Sequence, residues 1–299
     1  MDQTQEYIAF AILLAGFLML ISRVRQERLL QVVMVSYGFF AVLVLVLPKL
    51  AASVIMVEGE LSPFHEFLFR NGAVAILGLV LSIYLNHTSI DAFTRVVLFF
   101  GLAIISTLEV FIYSLAPHIA DKGKGVTFKE PRLGLYTSFA TAAGAYLVVF
   151  LAKDFFGHSQ LHSRLNMHLK IDFVMNLVHG VVAMAYPKVL VGFLTKAKNC
   201  DEFIVVCTQC YGAFLIGSGV ISLLYTSALF TINKRQHLMC RVLETLGAVV
   251  LMLATNFLTD ALPGSTQPAL LMLCLVSFNA LLGYYSPHET EGYVSKNKD

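Results

Sequence analysis

The chain has 299 residues, of which 57% are hydrophobic and 13% charged, with a formal net charge of +2 and a mean hydropathy of +0.74. A soluble domain carries about 25% charged residues, so a deficit this large calls for lipid as the solvent. The same figures exclude intrinsic disorder, and no basic cluster points to nucleic acid.

A membrane-spanning helix needs about 20 mainly apolar residues. Nine segments qualify in chain order: 7–22, 29–47, 67–85, 96–117, 133–152, 171–186, 203–229, 242–259 and 267–285. The expected fold is all-α and polytopic, with loops too short to form a soluble domain. The alternation over about ten residues that marks β-barrel spans is not seen. "MDQTQE" precedes the first run and is acidic. A secretory signal peptide starts with positive charge, so the first helix is expected to be retained, with cleavage as the alternative. There is no Trp, so an interfacial aromatic belt falls to the 12 Tyr and some of the 23 Phe.

The second segment ends in "VLVLPKL" and the sixth in "AMAYPKVL". Proline cannot donate the helical hydrogen bond and disfavours a helical residue before it. Pro48 and Pro187 are therefore expected to end their helices, with Lys49 and Lys188 reaching for headgroups. These are not the only matches at an offset of 139 or 140. Gly72-Ala73 meets Gly212-Ala213, Ser82 meets Ser222, Arg95 meets Arg235, and "GAY" at 144–146 meets "GYY" at 283–285. A steady offset over more than 100 residues predicts an internal duplication. Residues 1–28 would form an extra helix and loop, 29–153 the first four-helix repeat and 154–299 the second. An even helix count per unit makes the repeats parallel and places both Pro-Lys sequences on one membrane face.

Lys and Arg number eleven on the face that holds the C-terminus and eight on the other. This predicts a lumenal or extracellular N-terminus and a cytosolic C-terminus, in an endomembrane or the plasma membrane. Asn86-His87-Thr88 is a glycosylation sequon, which this orientation leaves in the cytosol and unmodified.

An ionisable group costs about 2.5–3.5 kcal/mol inside a bilayer on insertion scales, so each one needs a reason. Asp172, Asn176 and His179 fall at i, i+4 and i+7 on the sixth helix, which puts them on one face. His237, Arg241 and Glu244 repeat that spacing at the start of the eighth. If the two stripes meet, they could relay protons or hold a polar ligand. The structural alternative is an Arg241–Glu244 pair at i, i+3 and groups lying at the interface. The aligned positions of the first unit are Val33, Tyr37 and Phe40, so the stripe belongs to the second unit alone. Glu109 in the fourth helix is a separate intramembrane acid, and Glu66 and Arg70 are placed to pair at i, i+4.

The five cysteines are Cys200, Cys207, Cys210, Cys240 and Cys274. Their number is odd and their spacing irregular, which argues against a disulfide scaffold. Cys207 and Cys210 form a CxxC that a thiol oxidoreductase could use; alternatively they are small residues in a membrane helix. His158 and His162 at i, i+4, followed by His168, would suit a metal if helical. A basic loop near anionic headgroups explains them equally, and no metal site or cofactor is assigned. Small residues at spacing four, Gly134, Ser138 and Ala142 in the fifth helix and Ala213 and Gly217 in the seventh, permit close helix packing or a membrane-protein partner.

Tyr186-Pro187, Tyr211-Gly212-Ala213 and Glu244 follow one another in an order that resembles the tumour protein p53-inducible protein eleven family. That resemblance implies a four-helix membrane unit, here apparently duplicated, with no catalytic residues to carry over. No nucleotide loop, catalytic triad or metalloprotease motif is present, so no enzyme activity is expected. The leading expectation is a transporter-like protein that binds a small solute or lipid through Asp172, Asn176, His179, Arg241 and Glu244. The alternatives are a structural or regulatory protein acting through helix–helix partners and a thiol oxidoreductase using Cys207 and Cys210.

Overall fold

A computed structural model describes residues 3–120, 125–152, 163–194, 200–259, 261–262 and 266–286. The described residues form eleven helices and one two-stranded ribbon. In order these are α1 (Gln3–Arg23), α2 (Gln26–Val46), α3 (Pro48–Val54), β1 (Val57–Glu58), α4 (Pro63–Asn86), α5 (Ala92–Ile119), β2 (Thr127–Phe128), α6 (Pro131–Leu151), α7 (Arg164–Ala185), α8 (Pro187–Leu194), α9 (Glu202–Tyr225), α10 (Thr231–Leu258) and α11 (Gln267–Tyr284). Eight are long and apolar enough to cross a bilayer, and α7 with α8 makes a ninth if that pair, bent by 99°, is one span. Large side chains such as Leu13, Phe39, Phe150 and Phe257 face outward. A belt of this kind is incompatible with water. The chain is an all-α, multi-pass integral membrane protein.

Local chemistry sets the helix starts. Asp91, Ser163 and Asp201 cap α5, α7 and α9 by accepting from Phe93, Asn166 and Ile204 N–H groups. Ser62 caps α4 in a capping box completed by His65. Pro48 and Pro187 each open a new short helix rather than leading out of one. At the first helical position the missing N–H is no loss, because that group has no intrahelical partner in any case. The largest differences in helix boundaries lie in α7 and α10, which begin seven and eleven residues before the expected starts at 171 and 242. Both early turns are polar, yet Asn166, His168, Asn233, His237 and Arg241 are buried between helices, where hydropathy does not register a helix.

The packing crosses the sequence halves. α4 lies against α10 and α2, and α9 against α5 and α7, whereas α4 and α5, neighbours in sequence, barely touch. α1 lies on α6, where the Phe10 and Tyr136 rings stack at 4.5 Å and Arg132 reaches Glu6 at 3.2 Å.

At one end of the bundle β1 pairs with β2, Val57 opposite Phe128. The Phe203 N–H donates to the Val126 carbonyl at 3.2 Å, and the Val126 N–H donates to Asp201 Oδ2 at 3.0 Å. His65 Nε2 lies 2.8 Å from the same oxygen. Its Nδ1 accepts from the Ser62 N–H at 3.1 Å, so Nε2 carries the proton and donates to Asp201. Arg70 Nε donates to the Leu45 carbonyl and Gln209 Nε2 to that of Met184. The last turns of α2 and α7 are thereby held at this same end, and both Pro-Lys sequences lie there. At the opposite end Asp91 accepts from Leu229 N–H at 3.0 Å, and Asn233 donates to Ser89 and Thr94 at 2.8 and 3.0 Å.

Elements recur at a fixed interval. α4 and α9 have 24 residues each and α5 and α10 have 28 each, and each pair starts 139 residues apart. Gly78 faces Glu244 and Gly217 faces Ile105; the two glycines are 139 apart, as are their two neighbours.

Candidate ligand site

The site begins with a helix crossing. A Cβ at Gly180 would sit 2.6 Å from the Gly212 carbonyl oxygen, and one at Gly212 would sit 2.7 Å from that of Gly180. Only glycine permits this approach of α7 and α9. The contact brings Asp172 on α7 to Ser222 on α9, whose hydroxyl donates to Asp172 Oδ2 at 2.6 Å. Gly78 on α4 leaves room for the Glu244 side chain, since a Cβ there would lie 2.5 Å from Glu244 Oε2.

The two expected stripes do meet. Arg241 is 1% exposed and Asp172 fully buried. Arg241 Nε lies 3.5 Å from Asp172 Oδ2, Nη1 donates to Glu244 Oε2, and Nη2 donates to Asn176 Oδ1. Asn176 in turn donates to the Asp172 carbonyl at 2.7 Å. Two carboxyl groups therefore share one guanidinium, and Asp172 Oδ1 has no hydrogen-bond partner. Removing one member of a buried ionic group costs about 3–5 kcal/mol, because its partner is left unpaired.

His237 extends the network. Its Nε2 lies 2.8 Å from Ser222 Oγ and its Nδ1 3.1 Å from Ser82 Oγ. Ser222 has one hydrogen, and its bond to Asp172 Oδ2 uses it. Ser222 then accepts from His237 Nε2–H, which leaves Nδ1 to accept from Ser82. The result is a polarised chain, Ser82 to His237 to Ser222 to Asp172, drawn from α4, α10, α9 and α7. The two serines were visible in the sequence only as an aligned pair; nothing there ties them to a histidine.

His179 stands apart from the ion pairs and lines open space. Beside them lies a void of about 10 Å³, bordered by Asn71, Asn176, His179, Tyr211, Arg241 and Glu244. That is roughly the room for one water. Asn71, His179 and Tyr211 also border a cavity of about 80 Å³, whose other walls include Phe67, Leu190, Val191 and Met252. The arrangement offers a small apolar chamber with an ionic cluster behind one wall.

Cys207 and Cys210 lie one turn apart on α9 as free thiols. Cys207 also borders the cavity with His179, and both thiols line a different one together with Glu109, which no Lys, Arg or His borders. Thiolate chemistry depends on neighbouring positive charge, and this lining supplies none. His168 sits in α7 rather than in a loop, and its Nδ1 is 3.0 Å from Asn279 Oδ1. His158 and His162 lie outside the described residues. Among the described residues no group of three or more His, Cys, Asp or Glu is placed to hold a metal. The small-residue stripes are occupied from within the chain: Gly134 faces Tyr113, Gly217 faces Ile105, and Ser138 donates to Glu109 at 3.1 Å. Glu66 and Arg70 pair at 3.3 Å, as their spacing predicts.

A family model described as a domain of unknown function, DUF8292, matches residues 29–285. The chain belongs to that family. The match begins after α1 and takes in every residue of the ionic cluster and both cavities. Comparison with characterised proteins and with solved structures returned no match.

Proposed function

We propose that this DUF8292 protein is a non-enzymatic, transporter-like membrane protein. It binds a small molecule, or the end of a lipid chain, in the chamber bordered by Asn71, His179 and Tyr211. The observation that carries this reading is the adjacency of that chamber to the cluster of Asp172, Asn176, Arg241 and Glu244. A cavity of about 150 Å³ accommodates benzene, so a chamber of about 80 Å³ takes a group of only a few heavy atoms. Its apolar walls favour the body of the ligand, and the cluster orients a polar end. The equal helix lengths and the 139-residue interval support descent from a duplicated four-helix unit, in keeping with the likeness to the tumour protein p53-inducible protein eleven family. In that view the second half acquired polar and charged groups where the first holds Val33, Tyr37, Leu102 and Ile105.

Native mass spectrometry of the full chain in nanodiscs, after incubation with a total lipid extract, tests the proposal. Wild type retains an adduct. Ala183→Phe, which fills the chamber without touching the ions, loses it, and Asp172→Asn and Glu244→Gln weaken it. A bare wild-type mass, or an adduct indifferent to Ala183→Phe, overturns the reading.

A further inference from the structure

We propose a second binding site, for a small organic cation, in the cavity between α2, α4, α5 and α9, with Glu109 as its counter-ion. The cavity has a volume of about 120 Å³, and seven of its lining side chains are aromatic. Phe69 meets Phe203 at 5.4 Å edge to face, Phe203 meets Phe128 at 5.8 Å, and Phe128 meets Tyr113 at 6.2 Å edge to face. These rings form one continuous wall, and Phe128 belongs to the β1–β2 ribbon at the end of the bundle. The faces of such rings attract cations.

The lining contains one acid and no base. Ser138, itself buried, donates to Glu109 Oε2 at 3.1 Å and holds the carboxyl in place on α5. A carboxylate in surroundings of low polarity is costly without a positive partner. An ammonium group enclosed by the rings provides that partner and is itself compensated. The volume limits the ligand to about the size of benzene, which fits a methylated ammonium with a short chain. The site uses none of the ions of the first one. Tyr211, Leu68 and Cys207 border both cavities and separate them.

The test uses the full chain in nanodiscs, with radiolabelled choline as the probe. The competitor is choline's uncharged isostere, in which a quaternary carbon replaces the nitrogen. Choline binds saturably, and the isostere competes at least about tenfold less well, a difference of about 1.4 kcal/mol. Glu109→Gln lowers choline affinity by at least about tenfold and leaves the isostere unchanged, while Gly192→Ala, where a Cβ meets nothing within 4 Å, leaves both unchanged. No choline binding to wild type, equal binding of choline and isostere, or an equal loss in Gly192→Ala and Glu109→Gln overturns the proposal. The wild-type comparison requires no variant to fold, and it is independent of whether the first cavity holds a ligand.

Discussion

Asp201 joins three segments at one end of the bundle, and its charge is the reason. Burial alone would raise its carboxyl. The hydrogen bond from His65 and those from the backbone N–H groups of Ile204 and Val126 outweigh burial and hold it below its ordinary value. A carboxyl lowered on folding contributes stability above its unfolded pKa of about 4, and that contribution is lost as pH falls through the folded value. Thermal unfolding in nanodiscs is therefore expected to show a midpoint that declines below about pH 4. Asp201→Asn keeps the helix cap and flattens that decline, whereas Asp201→Ala also loses the cap, worth about 1 kcal/mol at all pH values. An unchanged acid decline in Asp201→Asn would refute the assignment. At this scale the sequence was partly legible. The i, i+4, i+7 spacing put Asp172 with Asn176 and Arg241 with Glu244, because helical periodicity is local. The partners Ser82, Ser222 and His65 were not legible, since a hydroxyl carries no hydropathy signature and Asp201 lies 136 residues from His65.

Helices cross closely here only where glycine allows it. At Gly180 and Gly212 the obstruction to a Cβ is backbone, which cannot move without separating α7 from α9. Gly180→Ala is expected to cost about 1–3 kcal/mol, the usual range for overpacking, and to loosen the Asp172–Ser222 bond. Gly16 and Gly192 have nothing within 4 Å, so Gly16→Ala and Gly192→Ala serve as neutral controls in the same unfolding measurement. If all three variants melt together, close approach is not what glycine provides. The helices themselves were legible as apolar runs. The first turns of α7 and α10 were missed because their polar side chains are satisfied by other helices rather than by water. The two prolines were read correctly as breaks, but the short helices they open were not foreseen.

Across the whole molecule, Lys49 and Lys188 lie at the same end of the bundle, which predicts that they share one side of the bilayer. Lys49→Cys and Lys188→Cys, each in a background without the native cysteines, should react with a membrane-impermeant maleimide from one side only and from the same side. Labelling from opposite sides would exclude the parallel arrangement. The sequon at Asn86 is a poor reporter of orientation. Its side chain is fully buried and donates to the Ser82 carbonyl at 2.9 Å, so the folded protein presents no acceptor for a glycan on either face. An epitope at the C-terminus, probed in intact and permeabilised cells, reports orientation instead.

Composition alone determined that this chain lives in lipid, and apolar run length determined how many times it can cross, because both depend on transfer of local segments from water. Periodicity marked two faces that had to be buried. Tertiary structure decided that those faces meet and that α4 and α9 pass into contact with the opposite half. It also decided that the space beside the ions is apolar and that Glu109 faces an aromatic chamber. Those outcomes depend on which helices lie against one another, and that is set by distant glycines and loop contacts rather than by neighbours in sequence.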